Sequence, residues 1–449
     1  MNLGHVVKVV SEYAAARWRF RHLRGDALLR HQERGATVAA RYALLHSPFW
    51  RRHADGLPAE RWREFPIIDK ATMMASFQDV NTHGVSVDEA LAVALRSEES
   101  RDFSTTVRGL TVVLSSGTSG HRTISLVSKD EQSRFVGFLL ARMLDGLPLW
   151  RRHRVAFFLR SNSNLYEATR SPLIDFRYFD LTLSREQITE RLQALQPDVL
   201  VGPPALLSIV ADLVEEGALS IAPSFVLSGA EVLEPQVKER LERLFQTLVR
   251  DVYHTSEGPL GVTCRAGRMH LQEDIAVIEL EPLGAAADQR FTPVMTQLYR
   301  RAQPLLRYRM NDVVVVADEA CPCGSAFRVI TSVEGRCDDI FYLRRVDGSL
   351  KVVFPDQVRR AVLETDGISD YRVEQRAFDD VRVFFQAEDD DVDVAALERA
   401  LWARIGDATT QAARITITRG IPAETDKRRK LVRVRRSFAL LEADRARLV

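Results

Sequence analysis

The sequence predicts an α/β protein, with a large N-terminal α/β domain that begins with a helical segment and a small C-terminal α+β domain. Three patterns lead to this prediction. Residues 1–105 have a mostly helical pattern, apolar runs alternate with helix-like stretches from about 110 to 335, and the segment after 337 combines strand-like alternation with helix-like stretches. We therefore expect an N-terminal domain over 1–337 and a C-terminal domain over 338–449.

The helical segment carries apolar side chains among many Arg and Ala residues. Its Arg-rich face is typical of a solvated surface in which long side-chain stems cover apolar neighbours. The stretch Phe65–Met73 (FPIIDKATM) resembles a loop that enters a helix. Asp69 is expected to cap this helix, because a carboxylate accepts hydrogen bonds from the first backbone N–H groups.

The middle region contains short apolar runs that read LTVVLSSG, RVAFFLR, PDVLVGPP, PSFVLSGAE and VRDVYHTSE, separated by helix-like stretches. Buried strands that alternate with helices predict a mostly parallel sheet. Several of these runs end in small or polar residues. Because ligands of parallel sheets lie outside the carboxyl ends of the strands, we expect the functional site at this edge.

The C-terminal segment contains YRVEQRA, VRVFFQAE and ARITITR, whose alternation is typical of half-buried strands. Val358–Glu364 and Val394–Ile405 have helical patterns. Together these elements predict the small α+β domain.

The composition excludes several classes of protein. The chain has 449 residues, and its 62 basic and 61 acidic residues give a net charge of +1, so we expect neither nucleic acid nor an anionic membrane as partner. We find neither an apolar run long enough to span a membrane nor a secretory signal pattern. Four cysteines are too few for a disulfide scaffold. A cytoplasmic location is the expectation.

A Ser/Thr/Gly-rich loop follows the first apolar run. Two glycines permit sharp turns, and the hydroxyl and N–H groups can donate to phosphate oxygens. The spacing is not that of a Walker A loop. By itself such a segment is more often an ordinary loop. Its residues are Ser115, Ser116, Gly117, Thr118, Ser119 and Gly120.

Two further segments end apolar runs. A carboxylate at a strand end near a phosphate loop can hold Mg2+, which prefers one or two carboxylates plus phosphate oxygens. An adjacent aromatic ring can pack on a flat group. The alternative interpretation is a turn with a surface carboxylate. The residues are Ser228, Gly229, Ala230 and Glu231 in one segment and Tyr253, His254, Thr255, Ser256 and Glu257 in the other.

Three later segments complete the set. Asp312 precedes a strand-like run, and a carboxylate there can accept both ribose hydroxyls. Gly335–Asp339 lies at the predicted domain boundary. Pro422–Val434 contains a basic run that, taken alone, is typical of a solvated surface.

The order of these segments carries more information than any one of them. Five motifs occur in a fixed order: a Ser/Thr/Gly loop, Tyr-x-x-x-Glu, Tyr-Arg-x-x-Asp, Gly-Arg-x-Asp-Asp and a C-terminal Lys. In this order the chain resembles the adenylate-forming superfamily over about 60 to 434. The motifs FPIIDK, SSGTSG, LLRYRMNDVV and CPCGSAFRVITSVEGRCDDIF are most similar to its phenylacetate-CoA ligase-like branch, which includes relatives that adenylylate a deazaflavin cofactor.

The resemblance implies a role for each segment. The loop wraps the ATP phosphates, the segments at 228–231 and 253–256 contact the nucleotide, and Glu257 binds Mg2+. Asp312 binds the ribose and Arg336 contacts the nucleotide or the linker. The resemblance further implies that Asp338 or Asp339 is the hinge of a mobile small domain, and that Lys427 stabilises charge on the α-phosphate and the attacking carboxylate.

The implied reaction is attack of a carboxylate on the α-phosphate of ATP, with release of pyrophosphate. Positioning and positive charge suffice for this step. A thiol of CoA or of a carrier protein would then accept the acyl group. The alternatives are transfer of AMP to a cofactor hydroxyl, acyl transfer to an amine or alcohol, and a nucleotide-binding module without turnover. The acid is a small molecule of open identity, and the oligomeric state is open, with a homodimer among the alternatives.

Three positions depart from the superfamily pattern. The phosphate loop continues as His121-Arg122 where Lys-Pro is usual, and His254 replaces a glycine, which would reshape the acyl pocket. Met310-Asn311 replaces Thr-Gly before Asp312. The acidic residues and Lys427 are retained, which favours a divergent active enzyme.

Three cysteines and one histidine form a separate group of candidate metal ligands. Cys3His is a usual donor set of structural zinc, although the Cys-x-Cys spacing is tighter than the usual Cys-x2-Cys. The alternative is buried cysteines without a metal. Cys337 gives no indication of a nucleophile. The four candidate zinc ligands are Cys264, His270, Cys321 and Cys323.

Overall fold

The helical N-terminus and the first strands follow the predicted pattern. The structure, a computed structural model, describes residues 3–100, 102, 104–114, 123–143, 152–159, 174–181, 183–283, 289–387, 392–410, 413–422, 432–441, 444 and 447. Asp69 caps its helix as expected, since Thr72 N–H donates to Asp69 Oδ1 at 2.8 Å. The helices of this part are α1 (Leu3–His22), α2 (Gly25–His46), α3 (Pro48–His53), a 3-10 helix (Ala59–Glu64), α4 (Lys70–Ala75), α5 (Phe77–Val80) and α6 (Val87–Ser100).

The middle of the chain alternates strands and helices, which confirms the α/β class. The elements are β1 (Thr111–Leu114), β2 (Ile124–Val127), α7 (Lys129–Met143), β3 (His153–Leu159), β4 (Ile174–Asp180), α8 (Arg185–Leu195), β5 (Val199–Gly202), α9 (Pro204–Glu215), β6 (Phe225–Gly229), α10 (Pro235–Phe245) and β7 (Val249–Thr255). Strands then predominate: β8 (Gly258–Thr263), β9 (Met269–Leu271), β10 (Ala276–Pro282), β11 (Arg290–Gln297), β12 (Tyr308–Arg309), β13 (Asp312–Ala317) and β14 (Val329–Arg336).

The final part consists of a 3-10 helix (Cys337–Asp339), β15 (Phe341–Arg344), β16 (Leu350–Val353), α11 (Pro355–Leu363), β17 (Ile368–Ala377), β18 (Asp380–Ala387), α12 (Val394–Ile405), β19 (Arg414–Arg419) and β20 (Val434–Arg436). Its main sheet has the order β19-β18-β17-β20. Apolar side chains of α11 and α12 share one core with inward residues of β17 and β18, which is the predicted α+β architecture.

The large sheet contains a parallel part in the order β4-β3-β5-β6-β7, and β8 and β9 continue it in antiparallel register. Its main apolar core includes Phe158, Leu207 and Val226. A second cluster with Phe157, Val201 and Leu227 covers the opposite face. Both faces of the parallel strands are therefore buried, as their continuous apolar sequences predict. The carboxyl ends of β6 and β7 lie side by side, because Gly229 pairs with Val252.

Contacts divide the chain into two compact units. The first unit comprises 1–279, 294–310 and 316–331, and the second comprises 280–293, 311–315 and 332–449. Among the described residues, no helix combines the length and the apolar character that crossing a membrane requires.

Candidate functional site

Two of the predicted nucleotide-binding segments meet at the carboxyl edge of the parallel strands. Ser228 pairs with Asp251 across β6 and β7, so the segments that follow these strands emerge next to each other. This is the edge at which parallel sheets bind ligands. The structure thus brings together Ser228–Glu231 and Tyr253–Glu257 within the first unit.

Ser228 is fully buried at the end of β6, and its Oγ has no hydrogen-bond partner among the described residues. Two residues later, Ala230 adopts the left-handed conformation with φ +69°, which few non-glycine residues do. A buried hydroxyl without a partner is costly, and a bound ligand is one way to satisfy it. Ser228 therefore fits the edge of a site for a polar ligand.

Glu257 lies in the turn between β7 and β8, and its side chain is buried. The Tyr308 hydroxyl donates to Oε1 at 3.1 Å, and the Ser256 hydroxyl donates to Oε2 at 3.0 Å. Both carboxylate oxygens are therefore held in a fixed orientation. A single oriented carboxylate at this edge is a donor that fits Mg2+, since that ion takes its remaining ligands from phosphates and water.

The turn itself requires the glycine that follows Glu257. Gly258 has φ +145°, and a Cβ atom there would lie 2.7 Å from Gln297 Nε2. Thr255 Oγ1 donates to Gly258 O at 3.2 Å and closes the turn. Because L side chains rarely adopt this φ, the backbone conformation of the turn accounts for a glycine directly after Glu257.

His254 is partly buried on β7, next to the buried Tyr253. Its ring is stacked with Phe135 of α7, with centroids 5.3 Å apart and planes 28° from parallel. Burial and the nearby Arg300 lower the pKa of His254 to about 4. The imidazole is therefore neutral at physiological pH.

The phosphate loop and the C-terminal lysine lie outside the described residues. This applies to the predicted loop Ser115–Gly120, to His121 and Arg122, and to Lys427 with its neighbour Asp426. The described strands on either side of the loop form an antiparallel pair in which Leu114 faces Ile124.

The predicted ribose and hinge residues lie in the second unit. Asp312 begins β13 and Arg336 ends β14, directly before the 3-10 helix that contains Asp338 and Asp339. Asn311 Nδ2 donates to Asp338 Oδ2 at 2.5 Å, and Cys337 N donates to Asn311 O at 3.0 Å. These contacts hold the start of β13 against the predicted hinge.

The two acidic residues of that 3-10 helix differ in environment. Asp338 is exposed, whereas Asp339 is partly buried. Burial raises the pKa of Asp339 to about 7, with a further increase from Asp338, while Arg336 and two other arginines oppose it. Asp339 therefore changes its charge near neutral pH.

The four predicted zinc ligands converge in the first unit, and their ligand atoms all lie within 4.8 Å of one another. Cys264 Sγ is 3.6 Å from Cys321 Sγ, and Cys323 Sγ is 3.4 Å from His270 Nε2. With Zn–S bonds of about 2.3 Å, a tetrahedral zinc ion separates two sulfurs by about 3.8 Å. The spacing of the donors therefore fits a tetrahedral ion.

The surroundings of the cluster prepare these donors for a metal. His270 Nδ1 is 2.8 Å from Phe327 O, which assigns the proton to Nδ1 and directs the lone pair of Nε2 at the cluster. Backbone N–H groups of Ala266 and Ser325 donate to Cys264 Sγ and Cys323 Sγ, each at 3.4 Å. Such bonds favour the thiolate form over the thiol.

The cysteines themselves resist ionisation. Burial raises the pKa of Cys264 and raises that of Cys323 to about 12. Without a cation these two thiols therefore stay protonated at neutral pH, and binding of a metal must release their protons.

Sequence reasoning missed three residues of the region around Glu257. Tyr308 orients the carboxylate, Phe135 stacks on His254, and Arg300 lowers the pKa of that histidine. Tyr308 belongs to the Tyr-Arg-x-x-Asp motif, so the motif itself could have indicated it. No local signal marks Phe135 or Arg300, because both reach the site only through the fold.

Comparison with known proteins gives a consistent picture. No protein-family model matches the chain. Phenylacetate-coenzyme A ligase of Thermus thermophilus is 28% identical over an alignment of 195 residues, which covers 39% of this chain and 42% of that protein. A 133-residue stretch, 29% of the chain, is 26% identical to protein CapK of Staphylococcus aureus and covers 29% of it. The matches thus span less than half the length of these relatives.

The similarity of structure extends much further along the chain. The fold of 2-hydroxyisobutyryl-CoA ligase, solved in the postadenylation state with an acyl-AMP, matches 96% of this chain and 93% of that one, with a TM-score of 0.68 and 19% identity. These findings confirm the resemblance to the adenylate-forming superfamily and its phenylacetate-CoA ligase-like branch. They likewise confirm the mixed α/β fold class.

Proposed function

We propose that this chain uses ATP to convert a carboxylic acid into an acyl-adenylate, releases pyrophosphate, and then transfers the acyl group to a thiol. The observation that carries the proposal is Glu257, a buried carboxylate that two hydroxyl groups orient at the carboxyl edge of the parallel strands. Its neighbour at this edge, Ser228, has a buried hydroxyl that a ligand would satisfy.

The residues would divide the work of the first step. Mg2+, when bound, supplies positive charge that offsets the phosphate charge of ATP. Glu257 would hold this ion, and Ser228–Glu231 and Tyr253–Ser256 would line the nucleotide. Lys427 would add positive charge where the carboxylate attacks, and the 115–120 loop would donate N–H and hydroxyl groups to the phosphates. No group of the chain needs to change its protonation state for the attack.

The second step would require a different arrangement of the C-terminal part. We infer that 338–449 rotates as a small domain about Asp338 or Asp339, with Asp312 on the ribose and Arg336 near the nucleotide. The raised pKa of Asp339 and the exposure of Asp338 make this helix a place where charge and solvation change readily.

CoA is the acceptor that the similarities favour. The relative from Thermus thermophilus is named as a coenzyme A ligase, and 2-hydroxyisobutyryl-CoA ligase has been solved in an open conformation with its acyl-AMP and CoA, with a TM-score of 0.59 to this chain. A carrier-protein thiol has the same chemistry and remains an alternative acceptor.

We further propose that Cys264, His270, Cys321 and Cys323 bind a structural zinc ion. The four ligand atoms all lie within 4.8 Å of one another, and a complete Cys3His set is typical of structural zinc, since catalytic zinc keeps one position open. The ion would hold the segment that contains Cys321 and Cys323 against β8 and β9, away from the chemistry.

The test is pyrophosphate release from ATP and Mg2+ over a panel of aliphatic, hydroxy- and aryl-acids, with and without CoA. Release that depends on one added acid, followed by thioester formation with CoA, supports the proposal. Release without added acid but with a hydroxyl acceptor would indicate AMP transfer, and release with an amine or alcohol would redirect the second step. If no acid supports release, the chain is a nucleotide-binding module.

Lys427→Ala tests the residue assigned to the C-terminal motif. Loss of a preorganised positive charge in the transition state should lower acid-dependent pyrophosphate release by about 100-fold or more. Lys430→Ala is the matched control, since it removes a lysine from the same basic run and should leave release nearly unchanged. If the two variants behave in the opposite way, Lys430 is the catalytic lysine.

A further inference from the structure

Arg300 follows β11 and reaches the strand that leaves the phosphate loop. One terminal nitrogen of its guanidinium donates to Ser125 Oγ at 2.8 Å and to Leu126 O at 2.9 Å, both on β2. Only 12% of its side chain is exposed. The charge is thus fixed in a buried position beside β2.

The inner nitrogen of the same guanidinium has no hydrogen-bond partner among the residues that the structure describes. Arg300 Nε is buried and makes no hydrogen bond within the described part of the chain. The carboxylate oxygen paired with it, Glu131 Oε1, lies 3.9 Å away, which is too far for a hydrogen bond. A buried charged donor without an acceptor is unfavourable, so its presence calls for an explanation.

Glu131 does not provide that explanation, because both of its oxygens are already engaged. Oε1 accepts from the backbone N–H groups of Arg301 at 2.6 Å and Ala302 at 3.1 Å. Oε2 accepts from Ser128 N at 2.6 Å and caps the start of α7. Glu131 therefore accepts hydrogen bonds from backbone N–H groups, and no described residue accepts one from the Nε–H of Arg300.

Arg300 also acts electrostatically on the site around Glu257. Burial lowers the pKa of Arg300, and the charges of Glu131 and Glu257 oppose this effect. Arg300 in turn helps to lower the pKa of His254. Because an arginine remains protonated throughout, its permanent positive charge acts on both His254 and the proposed Mg2+ ligand Glu257.

We propose that Arg300 is a further substrate-binding residue, whose Nε–H donates to a carboxylate oxygen of the acid substrate, with the stacked rings of His254 and Phe135 beside it. This rests on the proposed function and names the group that holds the acid in place. The carboxylate of the acid would supply the acceptor for the Nε–H of Arg300. Because His254 is neutral, Arg300 would supply the positive charge that balances this carboxylate. The uncharged ring pair would contact the part of the acid next to the carboxylate.

The anionic oxygen could come from the acid or from ATP, and steady-state kinetics separate the two sources. With the acid that gives the fastest pyrophosphate release, Arg300→Gln should raise KM for the acid at least tenfold and leave KM for ATP within twofold. Arg300→Lys restores the charge but not the fork of donors, so it should recover only part of the loss. A rise in KM for ATP alone would assign the oxygen to a phosphate and overturn the proposal.

Arg301→Gln is the matched control. Arg301 is the neighbouring arginine, its side chain is also partly buried, and its guanidinium lies over the Tyr42 ring. Both KM values should stay within twofold in this variant. If Arg300→Gln lowers only the melting temperature and leaves KM for the acid unchanged, Arg300 is structural and the proposal is wrong.

A binding measurement keeps this inference separate from the proposed function. In histidine-labelled protein, Arg300→Gln should raise the pKa of His254, observed by NMR, and benzoate and phenylacetate should shift the His254 signal in wild type but not in the variant. Pyrophosphate serves as the phosphate probe. If no acid supports pyrophosphate release yet the carboxylates still bind through Arg300, only the proposed function fails. If they bind equally well to wild type and variant, the inference about Arg300 fails.

Discussion

The Cys/His cluster and the region around Glu257 lie at ends of strands of the same sheet, but they differ in whether their buried polar atoms contact one another. In the cluster the candidate ligand atoms face one another, as in the 3.6 Å contact of Cys264 and Cys321. Around Glu257, Ser228 Oγ and Arg300 Nε are buried without partners among the described residues. Under our proposals a single ion would complete the first region, whereas a larger ligand with several polar atoms would satisfy the second.

The histidines of the two regions show the same contrast. His270 has both ring nitrogens engaged, one with Phe327 O and the other with the Cys323 thiol. His254 instead presents its ring face to Phe135. Burial lowers the pKa of both. A neutral imidazole would thus serve as a metal ligand in the Cys/His cluster and as a ring that packs beside the substrate near Glu257, depending on its neighbours.

The largest expected effect comes from Glu257→Gln. The variant keeps the volume and the hydrogen bond from Tyr308 but loses the negative charge that would hold Mg2+, so pyrophosphate release should fall by about 100-fold or more. Zinc content, measured by atomic emission, should stay at the wild-type value. Glu239→Gln on the exposed face of α10 is the charge-matched control, with unchanged release.

One result for Glu257→Gln would contradict the distinction between an open site around Glu257 and a structural Cys/His cluster. Should Glu257→Gln lose zinc or unfold at a much lower temperature, Glu257 would be part of the structural core rather than of an open site.

The second expected effect is loss of zinc with activity retained, the opposite of the result expected for Glu257→Gln. Cys323→Ser should abolish stoichiometric zinc binding and lower the free energy of unfolding by about 3 kcal/mol or more, because metal binding contributes directly to folding. Below the melting temperature, pyrophosphate release per folded molecule should change only a few-fold. Zinc analysis, chemical denaturation and the release assay measure the three quantities.

Cys337→Ser is the control for this variant, since Cys337 lies outside the cluster and contacts Thr292. It should retain one zinc per chain. Retention of zinc by Cys323→Ser would contradict the four-ligand site, and loss of activity in proportion to zinc would show that the regions depend on each other.

The sequence was informative where function depends on residues close together in the chain. The spacing of Cys321 and Cys323 and the capping position of Asp69 were recognisable because a few peptide bonds fix their geometry. The motifs likewise indicated the fold class, since runs of buried strands and helices reflect the packing of the whole sheet. Adjacent parallel strands then brought the segments after β6 and β7 together, as their positions predicted.

Contacts between distant segments could not be read in this way. Arg300 meets Ser125 across 175 residues of sequence, and Phe135 meets His254 from another element. Nothing in the residues around either position marks such a contact, because it depends on how α7 and the segment after β11 pack on the sheet. The position of Tyr308 could be predicted from its motif, but its hydrogen bond to Glu257 could not.

The smallest expected effect concerns the pH dependence that His254 gives to stability. In the unfolded chain its pKa is near 6.5, whereas in the folded protein it is about 4. Above pH 6.5 the side chain is neutral in both states and has no effect. As the pH falls from 6.5 to 4, only the unfolded chain takes up the proton, so stability is progressively lost.

His254→Gln should remove this contribution and make stability less dependent on pH in the same window. Relative to its own value at pH 7.5, the wild type should lose roughly 1–2 kcal/mol more than the variant by pH 5, as measured by urea unfolding. Both proteins are compared with zinc present, so that His270 stays bound and does not titrate. Equal slopes would show that His254 is protonated as readily in the folded protein as in the unfolded chain. The stacked ring would then be a charged partner of the acid, and the contrast with His270 would disappear.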